Sequence, residues 1–183
     1  MVRTETPICE FNLPAIDFKL KGVDEQYYDL NSLRGSNGLL IMFICNHCPY
    51  VKSIISRIIR DTEELKQFGI NSVGIMSNDP NEYEEDSFDN MKKLSLDHNL
   101  PFPYLIDETQ EIARAYGAVC TPDFFGYNDK LGLQYRGRLD ESRKESVDGA
   151  KRELFEAMKQ ISITGKGPDN QIPSMGCSIK WFE

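Results

Sequence analysis

The sequence predicts an α/β fold in which a central mixed β-sheet is flanked by helices. The first observation is an apolar, β-branched strand, Leu39–Ile44, that leads through an amphipathic helix into a second strand, Ile70–Met76. This βαβ order implies parallel strands joined by a right-handed crossover. The second observation is two β-type runs, Val119–Tyr127 and Leu133–Arg138, separated by a turn-rich segment, which indicate an antiparallel hairpin.

The elements before and between these strands follow from local signals. Polar and apolar residues mix around Gly22 within Ala15–Tyr28, which indicates an N-terminal β-hairpin. The helix after the first strand is expected over Asn46–Phe68, because apolar residues recur there at helical spacing. Asp86 is the expected N-cap of another helix over Ser87–His98.

Three further elements complete the prediction. Tyr104–Ile106 is expected to form a short strand after a proline-rich break. Asp107 and Gln110 resemble a capping box for a helix that ends just before Gly117, a residue suited to the position after a helix. A last helix is expected over Ser146–Ile161, where apolar residues form one buried stripe.

Composition limits the classes of partner and compartment. The chain has 183 residues, enough for one domain, and a formal net charge of −8. Its basic residues are scattered among acids, so neither nucleic acid nor a membrane surface is expected as a partner. The N-terminus has no signal-peptide pattern, which favours a cytoplasmic location. In that reducing compartment, five cysteines indicate thiols with one reactive pair rather than a disulfide framework.

The strongest functional signal is a CxxC pair, Cys45 and Cys48, at the junction of the first strand and its helix. A position at the start of a helix predicts a lowered pKa for Cys45, because backbone N–H groups and the helix dipole stabilise a thiolate. Pro49 suits the first helical turn. His47, as an imidazolium, would also favour the thiolate and raise the reduction potential of the pair.

A zinc site is the alternative interpretation of a CxxC pair. It would need a second CxxC or a closely spaced histidine pair, and the sequence contains neither. We therefore expect redox chemistry and no bound metal.

The order of elements resembles the thioredoxin fold, because a βαβ unit with CxxC precedes a ββα unit that opens with Thr121 and Pro122. The N-terminal hairpin and an extra helix between these units resemble the AhpC/TSA (peroxiredoxin) and TlpA-like branch. Within it, the chain looks closest to bacterial thioredoxin-family proteins with a CNHC motif. The stretches that carry this resemblance are Phe43–Val51, Cys120–Phe125, Tyr135–Asp140 and the ending Gly176–Trp181.

The resemblance implies a thioredoxin-like domain over 1–164 and a thiol–disulfide oxidoreductase that needs no cofactor. Cys45 would be the nucleophile and Cys48 would resolve the mixed disulfide. Pro122 would be the cis-proline that faces the CxxC pair. Thr121 would offer backbone hydrogen bonds to an extended substrate segment. Further substrate contacts are expected from Asn46 and Pro49.

The expected partners are protein or small-molecule disulfides and an unidentified thiol or reductase that donates electrons. A peroxide reductase is the first alternative, since the peroxiredoxin branch is close. The residues before Cys45 lack the Pro and Thr of a PxxxTxxC loop, and Arg136 and Arg138 are expected to be solvated. A redox-inert binding module is the second alternative. Asp123 is a weak candidate for a proton acceptor.

The tail, 165–183, is expected to be ordered and packed on the domain. Its apolar residues would cover an exposed edge of the core; they are Ile172, Met175, Ile179, Trp181 and Phe182. Cys177 and Cys120 are candidates for a third thiol at the redox site, although Cys120 suits the role of a small buried apolar residue. Cys9 is expected to be inert.

Overall fold

The computed structural model describes residues 3–182, which form ten strands and six α-helices. The strands are β1 (Arg3–Glu5), β2 (Leu20–Gly22), β3 (Tyr27–Tyr28), β4 (Gly38–Phe43), β5 (Ile70–Met76), β6 (Tyr104–Ile106), β7 (Cys120–Thr121), β8 (Asp123–Asn128), β9 (Leu133–Tyr135) and β10 (Met175–Ser178). The helices are α1 (Leu30–Leu33), α2 (Pro49–Lys52), α3 (Ile55–Leu65), α4 (Phe88–Asp97), α5 (Glu111–Tyr116) and α6 (Glu153–Thr164).

The larger sheet contains seven strands in the order β3-β2-β6-β5-β4-β8-β9. Strands β4, β5 and β6 are parallel, whereas β8 and β9 lie antiparallel on the other side of β4. Strand β2 pairs with both β3 and β6, so the N-terminal hairpin extends this sheet. The predicted fold class, with its βαβ unit and its two hairpins, is therefore confirmed.

Helices cover both faces of the sheet, and β4 is buried along its whole length. Leu40 and Met42 pack with residues of α3, α4 and α6 in one core cluster. Leu39 and Ile41 pack with residues of α1 and α5 in the other. This alternation follows from the two-residue period of a strand, and it brings the end of β4 to the middle of the molecule.

The helix expected over Asn46–Phe68 begins later and is interrupted. Helix α2 begins at Pro49 with Cys48 as its N-cap, and Ile54, at φ −120° and ψ 0°, separates it from α3. The backbone N–H groups of Asn46 and His47 instead bind the carboxylate of Asp86. These two residues are therefore held as a loop, which no local helical signal could predict.

Other boundaries also differ from the prediction. Ser87, and not Asp86, caps α4 through its hydroxyl, because the Asp86 carboxylate is used by the cysteine loop. Helix α6 begins at Glu153, since the preceding loop binds Arg57 through Asp140 and the Val147 carbonyl. The predicted helix that ends before Gly117 is confirmed as α5.

A second, three-stranded sheet has the order β1-β10-β7. Strand β10 of the tail lies in its middle and pairs antiparallel with both neighbours. The predicted strand Val119–Tyr127 is therefore two strands, because Pro122 has no N–H and the chain changes sheets there, from β7 to β8. Within residues 3–182, no helix is long and apolar enough to cross a membrane.

The apolar residues of the tail divide by burial. Ile179 is buried, and Met175 and Trp181 are partly buried against the core clusters. Ile172 and Phe182 are exposed, at 49% and 41% of their surface, so the expectation that they cover the core is wrong. The assignment of 1–164 as a separate domain stays a prediction.

Candidate active site

The site lies where β4 ends. Backbone pairing with β5 continues to Ile44, whose N–H donates to the Ile75 carbonyl at 3.0 Å. The chain then turns through Cys45–Cys48 before α2 begins at Pro49, as expected from the position of that proline. Both cysteines of the pair are buried, with 1% and 0% of their surface exposed. All five cysteines of the chain are present as thiols.

Asp86 holds the loop between the two cysteines. Its carboxylate accepts hydrogen bonds from the backbone N–H groups of Asn46 and His47, at 2.8 and 3.1 Å. It also accepts from Nδ2 of Asn78 at 2.9 Å and from Nδ1 of His47 at 2.5 Å. Burial alone would raise the pKa of Asp86, but these hydrogen bonds, led by that from His47, lower it. A buried carboxylate at this place is thus kept ionised.

The place of Asp86 in the site is not visible in the local sequence, which indicates a helix cap. Local sequence offers only the acidic run Glu84–Asp86 before α4, which is typical of a helix start. The partners of Asp86 lie 39 and 40 positions away along the chain, and no spacing rule connects them.

His47 is oriented by two contacts. Its ring stacks on that of Tyr83, with centroids 3.8 Å apart and planes inclined by 3°. Its Nδ1 donates to Asp86 and also lies 3.6 Å from the Cys45 sulfur. The imidazole therefore lies between the Asp86 carboxylate and the Cys45 sulfur. The effect expected from His47 on the Cys45 thiolate and on the reduction potential stays a prediction.

The two thiols of the pair have opposite pKa shifts. Burial raises the pKa of Cys45 well above its ordinary value, and a hydrogen bond to Cys48 and the negative charge of Asp86 add to the rise. Hydrogen bonds from Cys177 and then from Cys45 lower the pKa of Cys48. The predicted low pKa of Cys45 is therefore wrong. Cys48, and not Cys45, caps α2, while Cys45 lies beside a carboxylate.

Thr121 and Pro122 face the pair, and the peptide bond between them is cis, as predicted. The Thr121 hydroxyl lies 3.2 Å from the Cys45 sulfur, and its carbonyl oxygen lies 3.1 Å from the Cys48 sulfur. The backbone of Thr121 pairs with Cys177 of β10. The edge expected to bind an extended substrate is thus occupied by the tail of the same chain, which corrects the predicted role of the Thr121 backbone.

The remaining cysteines differ in position. The Cys177 sulfur lies 2.9 Å from that of Cys48, so the structure brings this candidate third thiol into the site. The Cys120 thiol contacts the Pro122 carbonyl at 3.7 Å, and burial raises its pKa. Burial also raises the pKa of Cys9, to about 11. These values leave Cys120 and Cys9 protonated at neutral pH.

The two arginines of the second hairpin, Arg136 and Arg138, each form an ion pair with an acidic residue, and the partner of Arg136 is Asp123. Arg136 is buried and donates to both carboxylate oxygens of Asp123, at 3.3 and 3.0 Å. Arg138 pairs with Glu153 at 2.7 Å. The expectation that Arg136 is solvated is wrong, because its guanidinium is buried in an ion pair with Asp123 of β8. Burial raises the pKa of Asp123 to about 6 despite this partner.

A cavity of about 270 Å³ adjoins the pair on the side of α2, α3 and α4. Cys45 is part of its wall, whereas Cys48 is not. Most of the wall is apolar, and its residues are Ile44, Cys45, Asn46, Val51, Lys52, Ile55, Leu94, His98 and Tyr104. Asn46 is held there by hydrogen bonds to the Glu85 carbonyl and the Tyr104 hydroxyl. The cavity is the size of a small organic molecule.

Cys45, His47 and Asp86 also place three metal-binding atoms within 4.8 Å of one another. A tetrahedral zinc ion, with nitrogen and oxygen ligands at about 2.0–2.2 Å, separates those ligands by about 3.3 Å. The 2.5 Å distance between His47 Nδ1 and Asp86 is shorter than that separation and is in the range of a direct hydrogen bond. The geometry thus fits a hydrogen bond better than a metal site.

A CxxC pair at the end of the central strand, opposite a cis-proline, defines the chain as a thioredoxin-fold protein. It belongs to the AhpC/TSA family, which matches residues 12–142. No curated protein sequence matches the chain significantly.

Solved structures agree with this assignment. An uncharacterised conserved protein from Geobacillus kaustophilus is 40% identical, covers 100% of this chain and 97% of its own, and has a TM-score of 0.93. A hypothetical protein from Sinorhizobium meliloti 1021 is 31% identical over 98% of both chains, with a TM-score of 0.91. A thiol:disulfide interchange protein from Chlorobium tepidum TLS is 20% identical over 77% of this chain and 92% of its own, with a TM-score of 0.58. The last likeness concerns the fold alone.

Proposed function

We propose that the chain is a thiol–disulfide oxidoreductase in which Cys45 attacks a disulfide and Cys48 resolves the product. The observation that carries this proposal is that both buried sulfurs of the pair lie against Thr121, beside the cis Thr121–Pro122 bond: Cys45 is 3.2 Å from the hydroxyl and Cys48 is 3.1 Å from the carbonyl oxygen. Interacting thiols ionise as a set, so the negative charge belongs to the pair and not to one sulfur. Transfer of the Cys45 proton to Cys48 generates the attacking thiolate.

Cys45 is the entry thiol because of its position rather than its resting charge. It forms part of the cavity wall, whereas Cys48 is enclosed by Thr121 and Cys177. The Thr121 hydroxyl, 3.2 Å away, can donate to the Cys45 sulfur and stabilise its thiolate while the substrate binds. Attack requires both access and charge, and of the two cysteines only Cys45 lines the cavity from which a substrate could approach.

The steps balance without a metal or organic cofactor. The Cys45 thiolate attacks one sulfur of the substrate disulfide, forms a mixed disulfide and releases the other sulfur as a thiolate. That leaving group takes the proton of Cys48. The Cys48 thiolate then attacks the Cys45 sulfur, so that the Cys45–Cys48 disulfide forms and the second substrate thiol leaves. The substrate gains two electrons and the pair loses two, which a thiol or reductase must later return.

The substrate class follows from the two sides of the site. The edge of β7 that pairs Thr121 with Cys177 is occupied by β10, so an extended protein segment cannot pair with Thr121 on that edge. The open side is the apolar cavity beside Cys45. We therefore place small-molecule disulfides ahead of protein disulfides as substrates.

Peroxide reduction is the second candidate. One observation favours it, namely the hydroxyl of Thr121 near Cys45, which could polarise a bound peroxide. A peroxide reductase also needs a cation that polarises the peroxide. The two candidate arginines are engaged elsewhere, since Arg136 pairs with Asp123 and Arg138 with Glu153. A redox-inert binding module is disfavoured because Cys45 and Cys48 share a negative charge, which binding alone does not require.

Steady-state reduction of oxidised glutathione, of a disulfide-bonded protein and of hydrogen peroxide, each with an excess of dithiol, tests the proposal. Glutathione disulfide should turn over fastest. Cys45→Ser should lower that rate roughly 10³-fold or more, because the nucleophile is lost, whereas Cys9→Ser should match the wild type. Cys48→Ser should retain glutathione on Cys45, visible by mass spectrometry. Faster turnover of peroxide, or an active Cys45→Ser variant, would refute the proposal.

A further inference from the structure

Strand β10 brings a third sulfur to the redox pair. The Cys177 and Cys48 sulfurs are 2.9 Å apart, which is within about 1 Å of the length of a disulfide bond. Cys48 is therefore in contact with a thiol from outside the CxxC pair to which it belongs. Disulfide exchange requires that a third sulfur reach one sulfur of the existing disulfide, because one sulfur attacks while the other leaves.

The chain holds Cys177 at this place by several backbone contacts. Strand β10 pairs with β7 in a register that sets Cys177 opposite Thr121. Gly176 lets the strands approach closely, because a Cβ atom there would lie 2.0 Å from the Thr121 carbonyl oxygen. The Ser174 hydroxyl donates to the Pro122 carbonyl at 2.8 Å, and its own carbonyl accepts from Thr6 at 2.9 Å. The tail therefore approaches the pair as a fixed strand.

We propose that Cys177 is a third redox-active thiol, which exchanges with the Cys45–Cys48 disulfide to form a Cys48–Cys177 disulfide and to release Cys45 as a thiol. The inference rests on the proposed function, because that activity forms the first disulfide. It adds a catalytic residue that touches a reacting atom, and it gives the tail a part in the reaction.

The exchange is balanced and needs no further oxidant. The Cys177 thiolate attacks the Cys48 sulfur, the bond between Cys45 and Cys48 breaks, and Cys45 leaves as a thiolate. The proton lost by Cys177 passes to Cys45, so neither electrons nor protons leave the protein. The hydrogen bond with Cys48 and burial raise the pKa of the Cys177 thiol in the reduced protein, and the positive charges of Lys180 and Lys144 oppose that rise. When Cys48 is part of a disulfide, the hydrogen bond that raises this pKa most is gone.

The exchange changes what the oxidised protein presents to substrates. With the disulfide moved to Cys48 and Cys177, the thiol in the wall of the cavity is Cys45 once more. The disulfide, which can accept two electrons, then lies between Cys48 and Cys177 of the tail strand β10. The oxidised protein can therefore still form a mixed disulfide at Cys45, which a simple CxxC protein cannot do.

Disulfide mapping of the wild type tests this directly. The reduced protein is treated with one equivalent of oxidised glutathione, quenched with acid at successive times, alkylated, digested and analysed by mass spectrometry. The Cys45–Cys48 link should appear first and the Cys48–Cys177 link second. If the two disulfides have similar stability, roughly half of the oxidised molecules should carry an alkylated Cys45. A Cys45–Cys48 link alone at every time would overturn the inference while leaving the proposed function intact.

Two variants separate the outcomes further. In Cys177→Ser, alkylation of Cys45 after oxidation should fall to background, whereas Cys9→Ser should behave as the wild type. In Cys45→Ser, oxidation with diamide should link Cys48 to Cys177 without any first disulfide, and failure to do so would contradict the inference. If the wild type releases no glutathione, the proposed function fails and the inference fails with it.

Discussion

The loop from Cys45 to Pro49 and the tail strand β10 both reach Thr121, but different forces hold them. The loop is organised by one buried charge, Asp86, which accepts hydrogen bonds from two backbone N–H groups and from His47. The tail is held mainly by backbone pairing with β7 and β1. The buried charge that organises the loop therefore sets the ionisation of the Cys45–Cys48 pair. The position of the tail strand limits which groups can approach that pair.

This contrast also explains the behaviour of the two cysteines. Cys45 belongs to the loop, and the field of Asp86 disfavours its thiolate. Cys48 is also in contact with the tail, because its sulfur lies 2.9 Å from that of Cys177, and this contact lowers the pKa of Cys48. A change in the loop should therefore alter the chemistry of Cys45 first, and a change in the tail that of Cys48.

Asp86→Asn should produce the largest change in stability. The neutral amide cannot replace an ionised acceptor of four hydrogen bonds, so the free energy of unfolding should fall by about 2–4 kcal/mol. The pKa of Cys45 should fall as well, because a nearby negative charge is removed. Urea unfolding and the pH dependence of Cys45 alkylation measure the two effects.

Glu85→Gln is the matched control for that variant. Glu85 is the neighbouring acid, and its ion pair with Lys52 is exposed, so its loss should cost less than about 1 kcal/mol. Equal stability losses in the two variants, or an unchanged Cys45 pKa in Asp86→Asn, would show that the loop is not organised by this carboxylate.

Gly176→Ala should disturb the tail and leave the loop intact. The added Cβ would lie 2.0 Å from the Thr121 carbonyl oxygen, so β10 must move, at a cost of about 1–3 kcal/mol. Movement of β10 also separates Cys177 from Cys48, and the Cys48–Cys177 link should decline in disulfide mapping. Gly132→Ala, where the nearest atom is at an ordinary 3.4 Å, should change neither quantity. A full yield of that link in Gly176→Ala would contradict the role given to the close strand approach.

The pH dependence of stability should differ between two of the buried carboxylates, Asp123 and Asp86. Asp123 lies just after the cis-proline, and burial raises its pKa from 3.8 to about 6. The folded state therefore binds a proton more tightly than the unfolded state, and stability should fall by about 1–3 kcal/mol as the pH rises from about 4 to about 6. Asp123→Asn should remove this slope.

The contribution of Asp86 to the free energy of unfolding should depend on pH with the opposite sign. Its lowered pKa gives stability that is present above its ordinary pKa of 3.8 and is lost as the pH falls through the folded-state value. Urea unfolding at successive pH values, on both asparagine variants, distinguishes the two contributions. A slope between about pH 4 and 6 that survives in Asp123→Asn would assign it to another group.

Trp181→Ala should have the smallest effect. The indole is partly buried, and the Arg114 guanidinium lies 4.3 Å from its ring centre, so the expected loss is about 1–2 kcal/mol. Phe182→Ala removes an exposed ring and should stay within about 0.5 kcal/mol of the wild type. If thermal unfolding does not distinguish the two variants, the end of the tail contributes no packing energy.

Local sequence was sufficient for most of the fold. The strand periods, the position of Pro49 at a helix start and Gly117 at a helix end are short-range signals, and the structure confirms them. Sequence also located the CxxC pair at the end of a buried strand, because that junction is visible within ten residues. The cis bond before Pro122 was expected from family resemblance and is present.

Only the tertiary structure decided the electrostatics of the site and its neighbours. Asp86 lies about 40 residues from the loop that it organises, and Cys177 lies 129 residues from the sulfur that it contacts. Hydrogen bonds and burial depend on distance in space, so their effect on the thiols could not be deduced from the residues beside Cys45. The sequence by itself determined the sheet and which cysteines form the pair. Folding determined the surroundings that shift the pKa values of the two thiols, and it placed the chain's own tail on the Thr121 edge.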